Sequence, residues 1–167
     1  MPRSDQGELQ DRYHLIPRTL IFIRRGDEVL LIKGSSSKKI WAGKYNGIGG
    51  HVERGEDILT AAYRELFEET GLQAELWLGG ILSIDVGQEG IALFVFAGEA
   101  LPGDLRSSQE GIGEWISQGR LSEIPVVDDL PILLKKLKGM NKQDGPFFGR
   151  SYYSQDGKLQ VKFFPEA

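Results

Sequence analysis

The 167-residue chain contains no cysteine. That absence removes thiol nucleophiles, cysteine-based zinc sites and disulfides at once, and a reducing, cytoplasmic setting is expected. Also missing is any long hydrophobic run. The longest, such as Ile91–Ala97, fall far short of the roughly 20 residues that cross a bilayer, so a soluble chain without a membrane partner is expected. No cationic stretch leads into an apolar signal segment at the N-terminus. Nor is there an excess of positive charge. Twenty Lys and Arg stand against 24 Asp and Glu, a net charge of −4. This is the wrong balance for a protein that grips a polymeric nucleic acid by its phosphates.

What remains is an ordinary globular composition, 40% hydrophobic and 26% charged, at the length of one domain. Residues 1 to 15 are polar and without periodicity, and we expect a flexible arm there, followed by a single domain over 16–167. Thr19–Arg24 and Val29–Lys33 are β-branched and aliphatic runs around Arg25-Gly26-Asp27-Glu28, which predicts an antiparallel pair. Ser35–Lys39 and Ile40–Asn46 read as a loop, and Ile48–Glu53 as a short strand entered through glycines. Strands are also predicted at Leu76–Val86, Ile91–Ala97, Glu114–Ile116, Phe147–Tyr153 and Leu159–Phe164. Asp128–Leu137 has the 3.6-residue apolar spacing of a helix, with Leu130, Leu133, Leu134 and Leu137 inward.

The clearest helix lies within GHVERGEDILTAAYRELFEETGL, Gly50 to Leu72. Asp57 is a good N-cap, nothing from Ile58 to Thr70 breaks a helix, and Gly71 stops it. A helical wheel puts Ala62, Leu66, Leu59, Thr70 and Tyr63 on one arc, the expected core face. Glu65, Glu68 and Glu69, at i, i+3 and i+4, crowd a neighbouring arc. Three such charges read as a solvated acidic face relieved by Arg64, or as hard oxygen ligands. The Gly49-Gly50 entry, where backbone can approach closely, and Glu56 ahead of the helix favour ligands for Mg²⁺ or Mn²⁺ acting on phosphate.

This stretch resembles the Nudix box, G-x5-E-x7-R-E-U-x-E-E-x-G-U with U aliphatic, at every specified position: Gly50, Glu56, Arg64, Glu65, Leu66, Glu68, Glu69, Gly71 and Leu72. At background residue frequencies a chance match in one chain is about one in ten million. The resemblance implies an α/β fold, a Nudix-type α/β/α sandwich with a mixed central sheet. It also implies Glu65, Glu68 and Glu69 as metal ligands, with the Gly50 backbone and a distal Glu110, five residues before Trp115, completing the set. Glu114 competes with Glu110 for that role. A box glutamate would take the proton of the attacking water, and Glu56 would pair with Arg64 to fix the loop.

The flanks speak to substrate. Tyr45-Asn46-Gly47-Ile48-Gly49-Gly50 is similar to a segment of the MutT-like branch, which acts on oxidised purine nucleoside triphosphates. By that resemblance Asn46 reads a base and Gly49 lines the substrate site, although Asn before Gly is also a turn former. Asp128 and Asp129 are similar to an acidic pair that reads the purine in a relative, and equally to an ordinary helix cap. The aromatic that precedes that pair in the relative is Val126 here, so a stacking partner is lost. Trp41 and Phe148 are candidate walls of a base pocket, and Trp77 and Trp115 core aromatics. His51 could point at phosphate, and Lys33, Lys38, Lys39 and Lys44 could neutralise a triphosphate. The expected activity is metal-dependent cleavage of a nucleoside triphosphate, such as 8-oxo-dGTP, to a monophosphate and pyrophosphate, by a monomer or homodimer. The alternatives are a nucleoside diphosphate linked to another moiety, such as ADP-ribose or a dinucleoside polyphosphate, and a nucleotide-sensing domain without turnover.

Overall fold

A computed structural model of the chain describes residues 12–36 and 41–165. Two runs of continuous aliphatic residues build its centre, β1 (His14–Arg25) and β2 (Glu28–Gly34). Along both strands alternate side chains are buried on opposite faces. Leu20, Phe22, Val29 and Leu31 enter one hydrophobic cluster, while Ile21, Ile23, Leu30 and Ile32 enter another. Such a strand is covered on both sides, which is why its sequence reads as a run rather than an alternation.

The remaining strands are β3 (Tyr45–Asn46), β4 (Ala74–Asp85), β5 (Glu89–Ala100), β6 (Gly111–Ser117), β7 (Phe147–Tyr153) and β8 (Leu159–Phe164). They form one sheet ordered β3-β2-β1-β5-β4-β7-β8, with β6 pairing the other side of β2. Pairing is mixed: β1 with β5 and β4 with β7 are parallel, and the other strand pairs antiparallel. Helix α1 (Ile58–Thr70) covers one face through Ala62 and Leu66, and α2 (Leu130–Leu137) covers the other through its four leucines. The result is the expected α/β/α sandwich with a mixed sheet. Among the described residues, no helix is long and apolar enough to cross a membrane.

Four local expectations are corrected. His14 and Leu15, assigned to the arm, begin β1 and pair with Glu89 and Gly90 of β5; residues 1–11 lie outside the described residues. Ile48–Glu53 is no regular strand: it forms isolated bridges to β1 at Ile48 and His51, with single backbone bonds joining Thr19 to Gly50 and Val52 to Pro17. Gly49 interrupts it at φ +155°, and a β-carbon there would sit 2.1 Å from the Thr19 carbonyl oxygen, so the chain turns at the one residue that tolerates the contact. On α1, Leu59 and Tyr63 are exposed while Ala61 and Glu69 are buried. The inward face comprises Ala61, Ala62, Leu66 and Thr70, and it includes Glu69, which accepts from the Gly49 amide of the glycine-rich loop. Finally, α2 starts at Leu130, with the 128–129 pair in the turn before it.

Candidate active site

The loop before α1 is locked by one arginine. Arg64 donates from Nη2 and Nε to the two oxygens of Glu56, at 2.6 and 3.1 Å, in the paired geometry a guanidinium favours. Its Nη1 reaches Glu65 at 2.9 Å and Glu68 at 3.3 Å, and Nη2 also donates to the His51 carbonyl at 3.1 Å. Glu56 in turn accepts from the Glu53 amide at 2.7 Å. The Arg64 guanidinium, followed by that amide, holds the Glu56 carboxyl below its ordinary range, and Glu56 first and then Glu65 raise the Arg64 value. Asp57 caps α1 by accepting from the Leu59 and Thr60 amides, and Gly71 ends it at φ +71°.

Above this lock the glycines let α1 approach the loop. A β-carbon on Gly50 would lie 2.4 Å from Oε1 of Glu65, and the Gly49 amide donates to Glu69 at 3.3 Å. Thr19 fixes the loop from the other side, its amide donating to the Gly50 carbonyl at 2.9 Å. A cavity of about 670 Å³ opens here, and it is bordered by Glu53, Glu65, Glu68, Glu69 and Glu110. Glu114 is elsewhere, accepting from the Tyr45 hydroxyl at 3.0 Å. Of the two candidates for a distal acid, Glu110 shares the cavity with the helix carboxylates.

The donor set suits a hard divalent cation, since five carboxylates border one space and the missing β-carbon of Gly50 makes room for one of them. Among the described residues, no three acidic or histidine side chains converge into a finished cluster. Glu65 and Glu68 are turned to Arg64 instead. Ligation would therefore exchange part of that ion-pair network for the cation.

A second cavity of about 150 Å³ adjoins the first. Asn46 and Asp129 line it together with Leu20, Ile84, Ile91 and Leu93. Two residues far apart in sequence meet because β3 is stitched to the loop before α2. The Tyr45 amide donates to Pro125 and the Val127 amide to Tyr45, while Tyr45 itself is buried. Asn46 uses its Oδ1 on the Gly47 amide at 2.8 Å, so the turn-forming role is realised. Its NH₂ group remains as a donor pair.

The two acids of the pair part company. Asp129 lies half-buried in this cavity, and burial, helped by the neighbouring charge of Asp128, raises its carboxyl above the usual range. Asp128 is exposed, 3.8 Å from Lys44 Nζ. Asp129 stands at the N-cap position of α2 without a side-chain capping bond, so the simple cap reading does not describe it. A larger apolar cavity of about 470 Å³ continues past Asp129 along Val86, Tyr152 and Tyr153.

Trp41 borders all of these spaces. It is half-exposed and the one non-glycine residue at positive φ, +62°, among those described. A β-carbon on Gly34 would lie 2.6 Å from the Trp41 carbonyl oxygen. Phe148, the other candidate wall, is exposed on β7 and borders neither base-side cavity. Trp77 and Trp115 pack against the two cores as expected. Lys33 lies over the Tyr45 ring, and Lys38 and Lys39 fall outside the described residues. His51 points its ring at Arg18, whose Nη2 and Nε lie 2.7 and 3.1 Å from Nε2. Arg18 borders both cavities, yet no motif or spacing selects it. An arginine after a proline near the start of a strand carries no signal of its own.

Residues 14–129 match the NUDIX domain model. The chain is 34% identical to the oxidized purine nucleoside triphosphate hydrolase of Mus musculus over 130 residues, which cover 72% of this chain and 80% of that protein. It is 33% identical to the protein of the same name from Danio rerio over 128 residues, 71% and 79% of the two chains. Among solved structures, a MutT protein from Bacillus halodurans superposes with a TM-score of 0.75 at 28% identity, over 92% of this chain and all of that one.

Proposed function

The chain belongs to the NUDIX family, and from that membership we propose that it is a divalent-metal-dependent pyrophosphohydrolase. Its substrate would be a purine nucleoside triphosphate, of the oxidised kind represented by 8-oxo-dGTP, cleaved to a monophosphate and pyrophosphate. One observation carries this reading: a cavity with amide and carboxyl groups suited to a base edge opens directly into a cavity bordered by five carboxylates. A nucleotide spans both, with its base at Asn46 and Asp129 and its phosphates toward α1.

Glu65, Glu68, Glu69 and Glu110, with the Gly50 carbonyl, would hold Mg²⁺ or Mn²⁺. Such an ion, when bound, neutralises the phosphate chain and makes water more acidic. Arg64 and Glu56 keep the loop and helix in register so that the carboxylates face the phosphates. A box glutamate, released from Arg64, accepts the proton of the attacking water. The water oxygen bonds to one phosphorus of the anhydride nearest the sugar while the P–O bond from that phosphorus to the bridging oxygen breaks, leaving the nucleoside monophosphate and pyrophosphate. Asn46 donates to the base, and Asp129, with its raised carboxyl, offers either a donor or an acceptor according to its protonation.

The test is a panel of 8-oxo-dGTP, dGTP, dCTP, ADP-ribose and a dinucleoside polyphosphate, with Mg²⁺, read by the products formed. Pyrophosphate from a purine triphosphate, fastest with the oxidised base, is expected. Turnover of ADP-ribose alone would move the substrate to a linked nucleoside diphosphate, and tight binding without turnover would make the domain a sensor.

A further inference from the structure

The two cavities share four bordering residues, Arg18, Trp41, Gly49 and Gly50. Of these only Arg18 carries charge. It faces the acidic cavity, yet among the described residues no carboxylate is paired with it; its side-chain partner is the ring of His51. Arg64, by contrast, is committed to Glu56, Glu65 and Glu68.

The way His51 holds Arg18 decides what is left. A guanidinium has five N–H donors and accepts nothing, so the His51 nitrogen must be the acceptor. Nε–H and one Nη2–H meet that nitrogen. Three donors remain, two on Nη1 and one on Nη2, and they lie on the end of the fork that binds two oxygens of a phosphate side by side. His51 is itself fixed, because Arg64 holds its carbonyl at 3.1 Å and its backbone bridges to β1 at Arg18.

We propose that Arg18 is a phosphate clamp at the seam between the cavities, gripping the phosphate nearest the sugar, and that His51 is the positioning residue that presents it. The proposal deepens the reading of the chain as a nucleotide hydrolase and rests on it. It also gives His51 an indirect part in phosphate binding. The clamp leaves the more distal phosphates to the carboxylate-bordered cavity and holds the monophosphate as the product side of the cleaved bond.

The test compares 8-oxo-dGMP with 8-oxo-deoxyguanosine as inhibitors of wild type, Arg18→Ala, Arg18→Lys, His51→Phe and His51→Gln. For Arg18→Ala the monophosphate Ki should rise by about ten- to a hundredfold, the range of one lost charge-assisted contact, while the nucleoside Ki stays within about twofold. Arg18→Lys keeps the charge without the fork and should fall between. His51→Phe removes the acceptor and should also weaken the monophosphate selectively, whereas His51→Gln, which retains an acceptor, should recover part of the loss. Equal weakening of monophosphate and nucleoside would overturn the clamp in favour of a wall of the base cavity, and unchanged monophosphate binding in Arg18→Ala would overturn it outright. No turnover of any nucleotide by wild type would overturn both this proposal and the hydrolase reading, whereas wild-type turnover with an unaffected Arg18→Ala rejects the clamp alone.

Discussion

The carboxylate cavity and the base-side cavity are neighbours built on opposite principles. The first is held by charge: one arginine binds three glutamates and a carbonyl, and four of its five bordering carboxylates come from a single loop and helix, Glu110 being the exception. The second is held by backbone. Its polar groups, Asn46 and Asp129, stand among aliphatic side chains and are brought together by hydrogen bonds between β3 and the loop before α2. The first should therefore govern the rate of any nucleotide it accepts, and the second should govern which nucleotide that is. The four residues at their seam couple the two.

The largest expected effect is in the acidic cavity. Glu69→Gln keeps shape and the bond to the Gly49 amide but removes a charge. If Glu69 ligates the metal, kcat should drop by at least about a hundredfold for every substrate, with Mg²⁺ dependence weakened. Because Glu69 is buried beside like charges, the melting temperature of the metal-free protein should hold or rise. Near-normal kcat would remove Glu69 from the ligand set.

The base-side cavity should answer differently. Asn46→Ala and Asp129→Ala should each lower kcat/KM for the preferred purine by about 1–3 kcal/mol, since partner groups on a buried base are left unsatisfied. The rate with a pyrimidine triphosphate should change little, so discrimination shrinks while catalysis survives. A uniform loss across the panel would mean that the two cavities are not separable. Asp128→Ala, acting on an exposed side chain near Lys44, should leave discrimination intact.

That asymmetry of construction also explains what the sequence discloses. The box residues lie within 23 consecutive positions and use helical spacing, so Glu65, Glu68, Glu69 and their partner Arg64 are legible together. The two leucine- and isoleucine-rich strands are legible for the same local reason. The base-side cavity is assembled across more than a hundred residues, from Arg18 to Asp129, by strand order and backbone pairing that no local pattern encodes. Resemblance could nominate Asn46, Asp128 and Asp129, but only the fold divides the acidic pair into an exposed member and a half-buried one. Leu59 and Tyr63 show the same limit from the other side: apolar spacing suggests a core face that includes them, whereas the helix buries Ala61 and Glu69 beside Ala62, Leu66 and Thr70.

Smaller still is an effect on stability within the base-side cavity. Asp129 has its carboxyl raised by burial first and by Asp128 second. An acid whose folded value exceeds its unfolded one costs stability once pH rises past the unfolded value, up to the folded one and beyond. Asp129→Asn should therefore raise the melting temperature at neutral pH and do little in acid, where both states are protonated. A fall at neutral pH would show that the carboxylate is satisfied by a partner rather than merely desolvated.

The smallest and slowest-varying effect should come from the lock beneath the acidic cavity. The Glu56 carboxyl is held below its ordinary value of 4.5, chiefly by the hydrogen bonds from Arg64. The sign is opposite to that of Asp129: a depressed folded value contributes stability that is fully present above the unfolded value and is lost as pH falls through the folded one. The window thus lies below about pH 4.5, with no contribution to pH dependence near neutrality. Glu56→Gln should lower the melting temperature at pH 7, because Arg64 loses a charged partner, and the gap between variant and wild type should close as both are taken into acid. Melting curves at pH 7, 5, 4 and 3 read this directly. A gap that stayed constant across the series would assign Glu56 a role in loop packing alone, and the ion pair would then not be what keeps the carboxylates of α1 facing the phosphates.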